Sequence, residues 1–179
     1  ERIECFDIST TQGAKAVGSM VTFEGGAPDK SRYRRFSIRT VEGQDDFAMM
    51  REVLLRRYRR AIEEADLPDL TLIDGGKGQL NVAVTVFKDL GIDDLECVGI
   101  AKSRALDQGD HSPERFFVPG RKNPIVLPQN SPVVHLLARV RDEAHRFAIT
   151  YHKKKRTKAT LSTTLTDIPG IGPKRARLL

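Results

Sequence analysis

The chain has 179 residues, 39% of them hydrophobic and 30% charged, with a formal net charge of +6. That length supports one domain of ordinary size with a short appendage, and the basic excess favours a polyanionic partner such as nucleic acid while leaving the fold open. No apolar stretch is long enough to span a bilayer, and the opening ERIECFD lacks the basic and apolar regions of a signal peptide. Since it enters a strand at once, the sequence reads as part of a longer protein.

Three strands come first, over Glu1 to Ser9, Ala14 to Glu24 and Ser31 to Arg39. The breaks between them, at Gln12-Gly13 and Gly25-Gly26-Ala27-Pro28, are short enough for antiparallel hairpins. A helix is expected from about Asp46 to Ala65, capped by Asp45-Asp46. Its apolar stripe is Phe47, Met50, Val53, Leu54, Tyr58 and Ile62, with Arg56, Arg59, Arg60 and Glu63 on the other side. After Pro68 come a strand, Leu70 to Asp74, a helix from about Gln79 to Leu90 and a strand, Glu96 to Ala101. This unit favours parallel pairing with a right-handed crossover. Lys102 to Pro132 reads as an irregular surface excursion with a hairpin around Pro119-Gly120. Pro132 to about Lys155 is the strongest helix, with Val133, Leu136, Leu137, Val140, Ala144, Phe147, Ala148 and Tyr151 as its stripe. The tail from Ser162 reads as a separate small unit. Cys5 and Cys97 each lie in an apolar strand-like run without disulfide or zinc spacing, so they read as buried, reduced thiols of a cytoplasmic protein.

Asp7 and Asp74 each close an apolar strand. Because strand side chains alternate faces, an acid in that position sits at the sheet rim, where it is costly unless paired or used. With His145 on the late basic helix, the two carboxylates read as a metal-dependent nuclease centre. Hard oxygen ligands suit Mg²⁺ or Mn²⁺, and an imidazole tilts the choice toward Mn²⁺. Plainer readings stand beside this one. Asp74 before Gly75-Gly76 could serve as a helix cap, and His145 beside the apolar stripe could be a satisfied, half-buried histidine. His111, His135 and His152 show no metal-site spacing.

Three antiparallel strands, a helix, then alternating parallel strands and helices is the element order of the ribonuclease H fold. There the first and fourth strands lie side by side, which would make Asp7 and Asp74 neighbours. The segments ECFDIS, RYRRF, QDDFAMMREVLLRRYRR, LIDGGKGQL, SPVVHLLARVRDEAHRFAITYHKKKR and LTDIPGIGPKRARLL resemble, in order, the C-terminal half of the UvrC family of bacterial nucleotide excision repair. One departure is Thr10, where members of that family commonly have His. The resemblance implies an α/β architecture: a ribonuclease H-like mixed five-stranded sheet flanked by helices over residues 1–155, then a basic linker and a truncated helix-hairpin-helix over 156–179.

It further implies an endonuclease that cuts DNA 5′ to a lesion with Asp7, Asp74 and His145 as catalytic and metal-binding residues, Mn²⁺ or Mg²⁺ as cofactor and Asp46 as an accessory acid. Damaged duplex DNA would be the substrate, delivered by UvrB and, through it, UvrA; nothing suggests an obligate dimer. Lys77, in a glycine-rich turn that is not a nucleotide-binding P-loop, would touch phosphate. Gly170, Gly172 and Lys174 of the hairpin motif would hold backbone phosphates without reading sequence, with Arg141, Lys153 and Lys154, and also Arg32, Arg34 and Arg35, extending the basic track. Two other readings fit the same residues: a non-catalytic DNA-binding module, and a junction resolvase or ribonuclease on the same fold.

Overall fold

The structure, a computed structural model, describes the backbone of residues 1–9, 16–101 and 113–166, and side chains as far as residue 150. Strands β1 (Arg2–Ser9), β2 (Val17–Glu24), β3 (Ala27–Pro28) and β4 (Arg34–Ser37) precede helix α1 (Asp46–Glu63). Strand β5 (Leu70–Asp74), helix α2 (Lys77–Leu90), strands β6 (Glu96–Ala101) and β7 (Arg115–Phe117) and helix α3 (Pro132–Thr166) follow. The chain forms two compact units, Glu1–Ala148 and Ile149–Leu179.

The sheet has seven strands in the order β3-β2-β1-β5-β6-β7, with β4 also paired to β2. β1 pairs antiparallel with β2 and parallel with β5, and β5 pairs parallel with β6, so the first and fourth long strands are neighbours as the ribonuclease H arrangement requires. The expected count of five is corrected by two short strands. β3 exists because Gly25 and Gly26, at φ 57° and 80°, form the two-residue turn that returns the chain onto β2. β7 exists because the excursion folds back, Phe116 exchanging both backbone hydrogen bonds with Ile125, at 2.9 and 2.7 Å.

Two cores sandwich the sheet. One face carries Phe6, Met20 and Ile73 against Met50, Val53, Leu54 and Tyr58 of α1 and Leu80, Ala83 and Phe87 of α2. The other carries Cys5, Val21, Phe23, Leu72 and Ile100 against Val134, Leu137, Val140 and Ala144 of α3. Both cysteines are buried free thiols. Within α1 the buried stripe is shifted from the expected one: Phe47 and Ile62 are 49% and 45% exposed, while Arg57 is buried. Glu4 explains the exchange, since this fully buried acid of β1 takes two hydrogen bonds from the Arg57 guanidinium.

Asp45 alone caps α1, accepting from the amides of Phe47 and Ala48 at 3.1 and 3.0 Å. Helix α2 starts at Lys77, two residues before its expected start at Gln79, and ends at Gly91 in the left-handed region, φ 67°. Helix α3 passes Lys155, its expected end, and continues to Thr166. Lys, Arg and Ala favour a helix, and neither Gly nor Pro interrupts this stretch.

Candidate metal centre

β1 and β5 run parallel in a register that pairs Cys5 with Leu72 and Phe6 with Ile73. The next rung therefore sets Asp7 beside Asp74. Side chains alternate, so both acids share the face of Cys5 and Leu72, the face that α3 covers. Ala144 of α3 is fully buried in that core, and the residue after it, His145, swings out over the carboxylates. His145 Nδ1 lies 3.6 Å from Asp7 Oδ2, with the imidazole 60% exposed and the Asp7 carboxylate 10%.

Asp7, Asp74 and His145 each offer a ligand atom, and these atoms lie within 4.8 Å of one another. Two oxygen donors and one imidazole nitrogen so gathered fit a divalent cation of the Mg²⁺ or Mn²⁺ class. Burial, and then the neighbouring Asp7 carboxylate, push the pKa of Asp74 up to about 6, although Arg141 and His145 oppose the shift. Two carboxylates forced together in a half-buried place are what a cation would relieve. The same surroundings raise the Cys5 thiol well above its ordinary value, burial first and then Asp74 and Asp7.

The turn after Asp74 is backbone-tight. The Gly75 amide donates to the Ile100 carbonyl at 3.0 Å, and a Cβ on Gly99 of β6 would stand 2.9 Å from the Gly75 carbonyl oxygen. Gly76, without a side-chain cap, is the N-cap of α2, so the plainer reading of Asp74 as that helix's cap does not hold.

The remaining expected site residues fall in several places. Asp46 is exposed in the first turn of α1 and is not one of the three clustered residues. Lys77 is exposed at the start of α2, its Nζ donating to the Lys122 carbonyl at 3.5 Å. Arg141 is 5% exposed and paired with Glu114 at 2.6 Å and with the exposed Asp142 at 2.7 Å, so its guanidinium already serves two carboxylates of this chain. The side chains of Lys153 and Lys154, and Thr10, Gly170, Gly172 and Lys174 entirely, lie outside the described residues. Glu114, which fixes Arg141 near Asp74, was missed in the sequence, where it stands in an irregular stretch with nothing to single it out.

Residues 1–149 match the family model described as the UvrC RNAse H endonuclease domain. The chain is 53% identical over its whole length to the UvrABC system protein C of Desulfotalea psychrophila, covering 29% of that protein. It is also 53% identical to that of Geobacter metallireducens, covering 30% of it. The chain thus spans less than a third of the relatives it matches. Among solved structures, Ciona intestinalis endonuclease V with a 24mer DNA is 11% identical, with 86% of each chain covered and a TM-score of 0.48.

Proposed function

The chain belongs to the UvrC RNase H endonuclease domain family, and on that premise we propose that it is a divalent-metal-dependent DNA endonuclease that makes the 5′ incision beside a lesion. The observation that carries this reading is the meeting of Asp7, Asp74 and His145 at one rim of the sheet, their ligand atoms within 4.8 Å. Asp7 and Asp74 would hold Mn²⁺ or Mg²⁺, with His145 either a third ligand or an acid and base. A cation held there would supply charge neutralisation on the phosphoryl oxygens and would make an attacking water more acidic.

The chain's own groups do the rest. The sheet sets the two acids on adjacent strands, so the backbone holds their Cα atoms in register. Inward-facing Arg141, held by Glu114, keeps Asp74 more acidic than its burial alone would allow. His145 is exposed enough to take a proton from the attacking water or return one to the departing 3′ oxygen. Breaking the bond from phosphorus to that oxygen leaves a 3′-hydroxyl and a 5′-phosphate. Lys77 at the start of α2 adds a cation beside the turn that follows Asp74. Lys153, Lys154 and the hairpin motif with Gly170, Gly172 and Lys174 would hold the duplex by its backbone, and UvrB, loaded by UvrA, would bring the lesion. The setting is the bacterial cytoplasm, and no described helix is long and apolar enough to cross a membrane.

The test is nicking of end-labelled, lesion-bearing duplex by the full-length protein with UvrA and UvrB supplied, comparing wild type with Asp7→Asn and His145→Ala in Mn²⁺, Mg²⁺ and chelator. The expected result is a metal-dependent 5′ cut that both substitutions abolish while DNA binding persists. Equal cutting by all three proteins would overturn the assignment.

A further inference from the structure

The rung that carries the acids continues across the sheet. Asp7 on β1 stands opposite Ser19 on β2, and Ser19 stands opposite Arg35 on β4. Adjacent strands are about 4.8 Å apart, which places the Arg35 backbone about 10 Å from that of Asp7, on the same face. Ser19 between them is fully buried, so the rung holds no other charge between carboxylate and cation.

Arg35 is exposed yet held in place. Its guanidinium lies 3.7 Å from the centre of the Phe147 ring, and one of its nitrogens donates to the Phe147 carbonyl at 3.4 Å. Phe147 is itself braced edge-on by Tyr33 at 5.1 Å, and the Tyr33 hydroxyl donates to Glu143 at 2.9 Å. The brace belongs to α3, two residues beyond His145, so one helix sets both the imidazole and the shelf under the guanidinium. The neighbouring arginines go elsewhere. Arg32 is paired with Asp29 and Asp66, and Arg34 donates to the Ser31 and Tyr33 carbonyls and lines a cavity with Met20 and Arg57 against α1.

We infer that Arg35 is a phosphate clamp that grips a backbone phosphate flanking the scissile one and so fixes where along the strand the cut falls. The inference rests on the endonuclease reading. A guanidinium offers five N–H donors in a planar fork that matches phosphate oxygens, and one already laid on an aromatic ring loses little freedom when it binds. Two strand spacings from Asp7, about 10 Å between backbones, suits a phosphate next to the one that the carboxylates address. The strand to be cut therefore runs along the sheet rim from the acidic end of the rung to its cationic end.

The experiment uses the full-length protein and duplexes carrying a single neutral methylphosphonate at each phosphate around the cut, with wild type, Arg35→Ala and Arg35→Lys. In wild type, neutralising one flanking phosphate should slow single-turnover nicking about tenfold, as expected for a lost charge-assisted bidentate contact. Arg35→Ala should slow nicking of unmodified DNA to a similar degree and become indifferent to that same position, and Arg35→Lys should recover part of the loss. The plot of log affinity for DNA against log salt should become shallower by about one unit in Arg35→Ala, a change that a purely structural role would not produce. An unchanged salt slope, or identical methylphosphonate penalties in wild type and Arg35→Ala, would overturn the clamp. If wild type makes no metal-dependent cut while the slope still falls, Arg35 contacts a DNA phosphate but the endonuclease reading fails, and the placing of the cut fails with it.

Discussion

Asp74→Asn should abolish nicking yet make the metal-free protein more stable. With its pKa raised from 3.8 to about 6, the folded state holds a proton on Asp74 more tightly than the unfolded chain does. A carboxyl raised in this way loses stability as pH climbs from the unfolded value through the folded one, and the full cost is present above about pH 6. A shift of this size corresponds to about 3 kcal/mol at 1.36 kcal/mol per unit, an upper bound for a group that keeps some contact with solvent. For a chain of this length that is roughly 6–12 °C in melting temperature. The assay is thermal unfolding of both proteins in chelator at pH 8 and pH 4. Other titrating groups common to the two largely cancel in the difference, which should be large at pH 8 and shrink to less than about 1 kcal/mol at pH 4. An Asp74→Asn protein no more stable than wild type at pH 8, or a gain that persists at pH 4, would refute the claim that crowded, half-buried carboxylates strain this site.

Mn²⁺ should raise the melting temperature of wild type by binding only the folded state, by about 2.7 kcal/mol at a hundredfold excess over the dissociation constant. Asp7→Ala should abolish that rise in differential scanning fluorimetry; an undiminished rise would place the metal elsewhere. Arg57→Met should cost about 3–5 kcal/mol in urea unfolding, because it strands Glu4, only 1% exposed, without its partner. The double variant Glu4→Gln, Arg57→Met should lose much less than the sum of the two single changes. Gly99→Ala should cost about 1–3 kcal/mol and weaken Mn²⁺ binding as well, since the new methyl meets the Gly75 carbonyl oxygen at 2.9 Å and backbone there cannot yield cheaply. Wild-type Mn²⁺ affinity in Gly99→Ala, measured by titration calorimetry, would show that the turn after Asp74 is looser than its packing implies.

What could be read from the sequence was whatever local pattern determines. An acid at the end of an apolar strand has one place to go, the rim, so Asp7 and Asp74 were visible before any pairing was known. That β1 and β5 are neighbours came from the order of elements, not from any single residue. Charge was harder to place. Arg141 and Arg35 look alike as letters, yet Glu114 pulls the first inward and the Phe147 ring holds the second at the surface. Their partners are 27 and 112 residues away, and no periodicity signals contacts of that range. Glu4 shows the same limit: an acid inside an apolar strand offers no sign that an arginine 53 residues on will neutralise it. Short strands such as β7 escape because three residues carry no alternation worth reading.

α3 ties these separate facts to one physical cause. Its apolar stripe must cover Cys5, Val21 and Leu72, and that requirement alone fixes its rotation and height over the sheet. Once Val140 and Ala144 are buried, the positions beside them have no freedom left. Arg141 is pressed against Glu114 near Asp74, His145 comes to Asp7, and Phe147 is set beneath Arg35. A helix whose core contacts dictate the site in this way links stability and chemistry through packing. Trimming Val140 to Ala should therefore loosen the imidazole and the arginine shelf together, and Mn²⁺ affinity and the salt slope of DNA binding should fall in the same variant. If either stayed at its wild-type value while the other fell, the helix would not be acting as one rigid support.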